Sequence, residues 1–281
     1  MKYKAGILIG LAGMLLTASS AMAASEMYSL TDSKGKTVYE EKLLDETNRS
    51  GNTLEDQLRS LKSAKLAKQL LKKGEAALFY IAEGNPDRKT NIERSSLSFT
   101  ASSKLREQLK EQHVKILDTV KKYKFENASL TYDPLTLSDE ELANLTDQLE
   151  RQAGESGKGY AMHPLQLSGN HWNLFGTYKH GSNQLLVQAI KSDGKTVILR
   201  SPSQEDGVKT EKLKVNGAEL LYTEYKSEPG KEKSREISKG KGITFVYSIP
   251  DSEFHIQYHI EDIGGNLSKQ DLIDVAKAYL K

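Results

Sequence analysis

The stretch KLKVNGAELLYTEY, Lys212 to Tyr225, decides the fold class. Asn216-Gly217 sits between two runs of alternating side chains. That dipeptide is the strongest short-range hairpin signal, because both central positions of the tight turn need a positive φ that Asn and Gly tolerate. With these two at the turn, Val215 faces Ala218, Lys214 faces Glu219 and Leu213 faces Leu220. An opposite-charge pair then lies beside an apolar pair, which supports that register.

The pattern continues on both sides. NHWNLFGTYK (170–179), NQLLVQAIK (183–191) and KTVILRS (195–201) read as strands separated by HGS and SDG. VKTEKLKV (208–215) leads into the hairpin, and GITFVYSI (242–249) and EFHIQYHI (253–260) pair across PDS. About seven strands with short connections precede one terminal amphipathic helix. The expectation is an α+β fold: an antiparallel β meander packed against helices, with a C-terminal capping helix.

Two stretches share one pattern of helix initiation, LSDEELANL from Leu137 and LSKQDLIDV from Leu267. Ser138 precedes Glu141 by three positions and Ser268 precedes Asp271 by three, the spacing of a capping box. Leu137 with Leu142, and Leu267 with Leu272, occupy the staple positions around each cap. Leu142, Leu145 and Leu149 continue one apolar stripe; Leu272, Val275, Ala276 and Tyr279 continue the other. The flanks share no further spacing, so these are independent helix starts.

The amino-terminal part is less regular. Tyr28–Thr31 and Lys36–Glu41 flank the polar turn DSKG as a hairpin. A helix should start at Thr53, with Asp56 completing its cap. Leu54, Leu58 and Leu61 point one way, whereas Ala64, Leu66, Ala67, Leu70 and Leu71 lie roughly opposite. This predicts either two short helices or one that changes burial partner near Ser63. Lys62, Lys65, Lys68 and Lys72 form a stripe that reads as a solvated face, or as a grip for an anionic envelope polymer such as teichoic acid. EAALFYIA (75–82), NIERSSLSF (91–99) and YKFENASLTY (123–132) read as strands, the last slipping phase near Asn127. SSKLREQLKEQ (102–112) reads as a helix capped by Ser102 or Ser103. KSEPGKEKSREISKGKG (226–242) is a charged loop.

The first residues carry a targeting signal. Lys2 and Lys4 precede an uncharged, largely apolar run from Ala5 to Leu16, and Ala21-Met22-Ala23 places small residues where a signal peptidase reads. Cleavage is expected before Ala24. The run is short for a bilayer span, which takes about 20 residues. The organisation expected is a signal peptide over 1–23, an N-terminal α/β region over 24–118, and the antiparallel sheet with its C-terminal helix over 119–281.

Forty basic residues stand against 38 acidic ones, and the signal segment carries two of the lysines. The mature balance is then neutral, which argues against nucleic acid as a partner. No cysteine is present, so apolar burial rather than disulfides must hold an exported chain together. No later segment is apolar enough for stable membrane insertion after signal cleavage. The chain is expected to be secreted and extracytoplasmic.

The segments KLKVNGAELLYTEY, GITFVYSIPDSEFHIQYHI and NLSKQDLIDVAKAYL resemble the end of an uncharacterised extracytoplasmic domain family. That family, a domain of unknown function, occurs in secreted proteins and anti-sigma-factor tails of spore-forming bacteria. Its pattern is a hairpin with an Asn-Gly-like turn, a strand carrying tryptophan, another strand and a serine-capped closing helix. Phe245 stands here at the tryptophan position. The likeness runs from Lys212 to Leu280, brings no catalytic residues with it, and implies a binding or sensing role at the cell envelope.

Candidate chemistry is sparse. His255 and His259 are the most metal-like pair, but on an alternating strand they stand about 13 Å apart, too far to share an ion at ~2.0 Å bonds. They read as exposed strand histidines. His113, His163, His171 and His180 have no ligand spacing. AGESGKGYA (153–161) echoes a phosphate loop, yet Gln152 replaces its first glycine and Gly159 its Ser or Thr. It reads as a linker. Ser33/Lys36, Ser192/Lys195 and Ser238/Lys241 have Ser-x-x-Lys spacing without the companion motifs. Trp172 is either a carbohydrate platform or core.

No catalytic, metal or cofactor residues are assigned. The expected function is a secreted, non-enzymatic binding or sensory module of the cell envelope, its partner an unidentified envelope protein or polymer. Two alternatives remain: a carrier of a lipid or other apolar ligand in a cavity of several hundred Å³ between sheet and helix, and a hydrolase with dispersed carboxylates.

Overall fold

The computed structural model describes residues 26–43, 53–200, 208–225 and 240–281. The expected signal peptide, and the charged stretch 226–242 up to residue 239, lie outside the described residues. The elements in chain order are β1 (Glu26–Thr31), β2 (Thr37–Leu43), α1 (Leu54–Leu70), β3 (Ala76–Ile81), β4 (Thr90–Arg94), β5 (Leu97–Phe99), α2 (Ser102–Gln108), β6 (Thr119–Val120), β7 (Tyr123–Pro134) and α3 (Asp139–Glu155). They continue as β8 (Tyr160–Leu165), β9 (Leu167–His180), β10 (Asn183–Ser192), β11 (Thr196–Arg200), β12 (Val208–Val215), β13 (Ala218–Tyr225), β14 (Lys241–Ser248), β15 (His255–Asp262) and α4 (Lys269–Leu280). The fold is α+β, with antiparallel sheets and a terminal helix.

The largest sheet has the order β12-β13-β14-β15-β10-β9-β7-β5, with β6 paired to β7. The Asn216-Gly217 turn has φ of 50° and 84°, and the register Val215↔Ala218, Lys214↔Glu219, Leu213↔Leu220 is the one read from charge and apolar pairing. The meander runs without interruption from β12 to β15, and β15 then pairs with β10. The phase slip near Asn127 is a bulge in β7 opposite β9, between Phe125 and Asn127.

One face of this sheet holds the main core. Trp172, Leu174, Tyr178, Phe245 and Tyr258 lie fully buried against Leu272, Val275, Ala276 and Tyr279 of α4 and Leu105 of α2. The start of α4 is fixed twice. Ser268 and Asp271 complete the capping box. The buried carboxylate of Asp262, at the end of β15, accepts the Leu267 amide at 2.5 Å and the Tyr123 hydroxyl at 3.3 Å. Leu267 and Leu272 are both buried beside the cap.

The other face is covered at β13 and β14 by a small sheet, β1-β2-β11. Leu30, Val38 and Tyr39 pack on Leu221 and Val246. KTVILRS therefore leaves the meander. As β11 it pairs in parallel with β2, Ile198 opposite Glu41. Alternation fixes which side chains share a face, but it does not choose a partner strand.

The third sheet, β4-β3-β8, lies between two helices. Every residue of β3 is buried: Ala77 and Phe79 meet Ala67 of α1, while Leu78 and Tyr80 meet Leu149 and Ala153 of α3. Ser138 and Glu141 form the expected capping box on α3. Leu142 stays 37% exposed, so the buried stripe begins at Leu145. NIERSSLSF supplies strands to two different sheets, β4 and β5. α2 is capped by neither Ser102 nor Ser103; its N-cap is Ala101, and the Ser102 hydroxyl bonds Asp118. The boundary expected at residue 118 is crossed by three pairings, β2 with β11, β3 with β8 and β5 with β7.

Candidate functional site

α1 begins at a complete capping box. Thr53 Oγ1 accepts the Asp56 amide and Asp56 Oδ2 accepts the Thr53 amide, each at 3.1 Å. Beyond its cap the helix is turned so that Leu54, Leu58 and Leu61 face away from the sheet, while Leu66 packs partly buried against it. The residues it buries are Arg59, Ser63 and Ala67. The Arg59 guanidinium donates to the Gly84 carbonyl and to Asp56. Ser63 is fully buried, bonded to Glu93 and accepting the Asn91 amide at 3.0 Å. The Lys89 ammonium and the Thr53 groups hold the Asp56 carboxyl down at about 2. A polar, charge-neutralised seam thus ties α1 to its sheet.

Leu54, Leu58 and Leu61 point away from that seam and are 71, 56 and 68% exposed. One helix is present, not two, and it does not change partner at Ser63. The spacing i, i+4, i+7 continues to Lys65 and Lys68 at i+11 and i+14, so one stripe carries three leucines followed by two lysines. Both lysines are exposed, as are Lys72 and Lys73 just past the helix end. No carboxylate among the described residues pairs with these four. Lys62 differs: its ammonium lies 2.8 Å from Glu83. The sequence displayed this stripe openly. The leucine spacing alone reads as a buried face, because apolar spacing gives a face and not its neighbour. The signal that could have corrected it was the serine and arginine opposite.

A second constellation lies at the start of β9. The Ser168 hydroxyl is 2.9 Å from His171 Nδ1, and His171 Nε2 is 2.9 Å from Asp193. The order is that of a serine triad, but with the ring nitrogens exchanged, since a triad serine meets Nε2 and its acid Nδ1. Ser168 is buried, however, and its oxygen also accepts the amides of Asn170 and His171 at 3.2 and 3.1 Å. Those donors occupy the lone pairs a nucleophile needs. The arrangement pins the irregular start of β9, where its register with β7 shifts between Tyr132 and Pro134. Nearby, buried Lys191 donates to Gln112 and Asn170 at 2.8 and 3.2 Å, with burial lowering its affinity for the proton.

The other sequence candidates separate. Trp172 is wholly buried and donates to Gln112 at 3.2 Å, so it is core and not a platform. His255 is only 2% exposed, and burial pulls its pKa down. The expectation of an exposed histidine fails there; His255 lines a cleft of about 120 Å³ together with Asp32, Ser33, Lys34 and Lys36 of the β1–β2 turn. His259 is half-buried, with Nδ1 2.9 Å from Thr244 Oγ1 and Nε2 4.0 Å from Glu261. No three His, Cys, Asp or Glu side chains among the described residues converge to hold an ion.

AGESGKGYA runs from the end of α3 into β8, with Gly157 and Gly159 at positive φ, as a connection between elements. Ser33/Lys36 falls at the β1–β2 turn and Ser192/Lys195 after β10; Ser238 lies outside the described residues. The space between the main sheet and its helices encloses about 10 Å³ among Tyr178, Tyr258 and Tyr279. That space holds one water at most. Burial raises the Glu261 carboxyl above its ordinary range, and His259 Nε2 lies 4.0 Å from it.

No protein-family model, curated protein or solved structure matches the chain.

Proposed function

We propose that the mature chain is a secreted, non-enzymatic binding module of the cell envelope, and that its contact surface is the outward face of α1. The observation that carries this reading is the inversion of the helix. Serine and arginine are buried while three leucines meet water, an arrangement that gains nothing for the isolated chain. The export signal and the likeness to an extracytoplasmic family support the location. The triad-like chain with its committed serine supports a non-enzymatic role.

The test is retention of the purified mature chain on isolated envelopes from the producing cell. The combined variant Leu54→Ser, Leu58→Ser, Leu61→Ser should keep the circular dichroism spectrum of the parent and lose retention. Equal retention of parent and variant would remove α1 as the contact surface.

A further inference from the structure

We infer that the occupant of the α1 face is the surface of an anionic phospholipid bilayer. The inference rests on the reading of α1 as the contact surface and goes further by naming what it contacts. Two features of the stripe must be satisfied together. Lys65 and Lys68 on the stripe, and Lys72 and Lys73 just past the helix end, are exposed without carboxylate partners among the described residues. A negatively charged surface complements them, at roughly 1 kcal/mol for each lysine close to it. Charge alone would suit an anionic polymer equally well. The leucines decide. At 56 to 71% exposure they need an apolar phase, which a hydrated polyanion lacks and a bilayer supplies just beneath its headgroups.

The geometry suits a helix lying in the plane of the interface. Leu54 to Leu61 covers about 10 Å of axis at 1.5 Å per residue, and Lys65 and Lys68 follow along the same line. The leucines would sink to the boundary of headgroups and acyl chains, about 5–10 Å deep, with the lysines held at the phosphates. The two acids of α1, Glu55 and Asp56, sit in the first turn. Asp56 is already neutralised by Arg59 and Lys89. The elements α1 packs on, β3 and β4, lie on its inward side, and among the described residues the leucines of the outward face stay exposed. This is peripheral docking and not insertion: no helix among the described residues is long and apolar enough to cross a membrane.

The absence of cysteine permits a site-specific probe. Leu58→Cys carrying an environment-sensitive dye reports the stripe, and Glu155→Cys on exposed α3 serves as the control. The full mature chain is mixed with vesicles of phosphatidylglycerol and phosphatidylcholine in equal parts, or of phosphatidylcholine alone, and sedimented. The expected result is cosedimentation with the anionic vesicles only, weakened by salt. A blue shift should appear at position 58 and not at 155. Lys65→Glu with Lys68→Glu should weaken binding roughly tenfold or more, and Leu54→Ser with Leu61→Ser should abolish it. If neither vesicle binds while the leucine variant still loses envelope retention, the lipid assignment is overturned and the face belongs to a protein or polymer. If vesicles bind the parent and both variants alike, lipid assignment and contact surface fall together.

Discussion

Leu61 and Ser63 lie two positions apart on α1, and the serine is the buried one: Leu61 is 68% exposed and Ser63 is not exposed at all. Helical geometry puts side chains two apart on different faces, so one rotation of the helix fixed both outcomes. The polar alternative won because Ser63 meets Glu93 and Asn91 across the seam. Leu61→Ser should therefore leave the urea midpoint nearly unchanged, within about 0.5 kcal/mol. Ser63→Leu should destabilise by roughly 1–3 kcal/mol, as overpacking does. If the two substitutions were equally costly in urea titrations, the orientation of the helix would be wrong.

The caps predict a graded response in α4. Ser268 accepts the Asp271 amide at 3.1 Å, and the returning bonds from Ser268 with the Lys121 ammonium hold the Asp271 carboxyl down at about 2. Ser268→Ala should cost about 1 kcal/mol. Leu272→Ala, which empties a fully buried position under the same helix, should cost roughly 2–5 kcal/mol. Because the folded carboxyl titrates below its unfolded value, its contribution is present above pH ~4 and fades as pH falls toward 2. Asp271→Asn should flatten that acid limb in urea titrations at pH 5, 4 and 3. An unchanged limb would detach the cap from acid stability.

What the chain showed in advance was local. The Asn216-Gly217 register, the caps at Thr53, Ser138 and Ser268, and the bulge near Asn127 each depend on residues within a few positions of one another. What stayed hidden were partners. KTVILRS has the alternation of a meander strand, yet β2, far upstream, pairs with it in parallel. His255 is separated from its neighbours on β15 by nothing in sequence, yet it is buried and shares a cleft with a turn more than 200 positions away. The α1 face was visible as a pattern, but its exposure is a property of β3 and β4.

Asp262 should prove the most demanding polar position in the main core. Its two oxygens accept from Leu267 and Tyr123, so Asp262→Ala removes the acceptor of two buried donors. The expected loss is roughly 1–3 kcal/mol for each donor, read as a shift in the urea midpoint. Burial, followed by the Asp262 charge, pushes the Tyr123 phenol up to about 12. In Asp262→Asn the charge contribution disappears, so that phenol should ionise earlier in an ultraviolet titration. A Tyr123 titration that does not move would show that burial alone sets it.

His255 gives the sharpest dependence on pH near neutrality. Burial lowers its pKa below the ordinary 6.5; Asp32 and Asp193 oppose that shift and Lys36 adds to it. The unfolded chain therefore takes up a proton at this position before the folded chain does. Stability contributed by neutral His255 is complete above about pH 6.5 and declines as pH falls through the lower, folded-state value. The decline is at most about 1.4 kcal/mol per pH unit while the two states differ by one proton. His255→Gln removes the titration but keeps a side chain that can face Ser192, whose hydroxyl is 3.5 Å from His255 Nε2. The advantage of the parent over this variant in urea titrations should shrink between pH 7.5 and pH 5.5. A constant difference across that range would mean that the imidazole takes its proton as readily folded as unfolded, and that its burial does not lower its affinity for the proton.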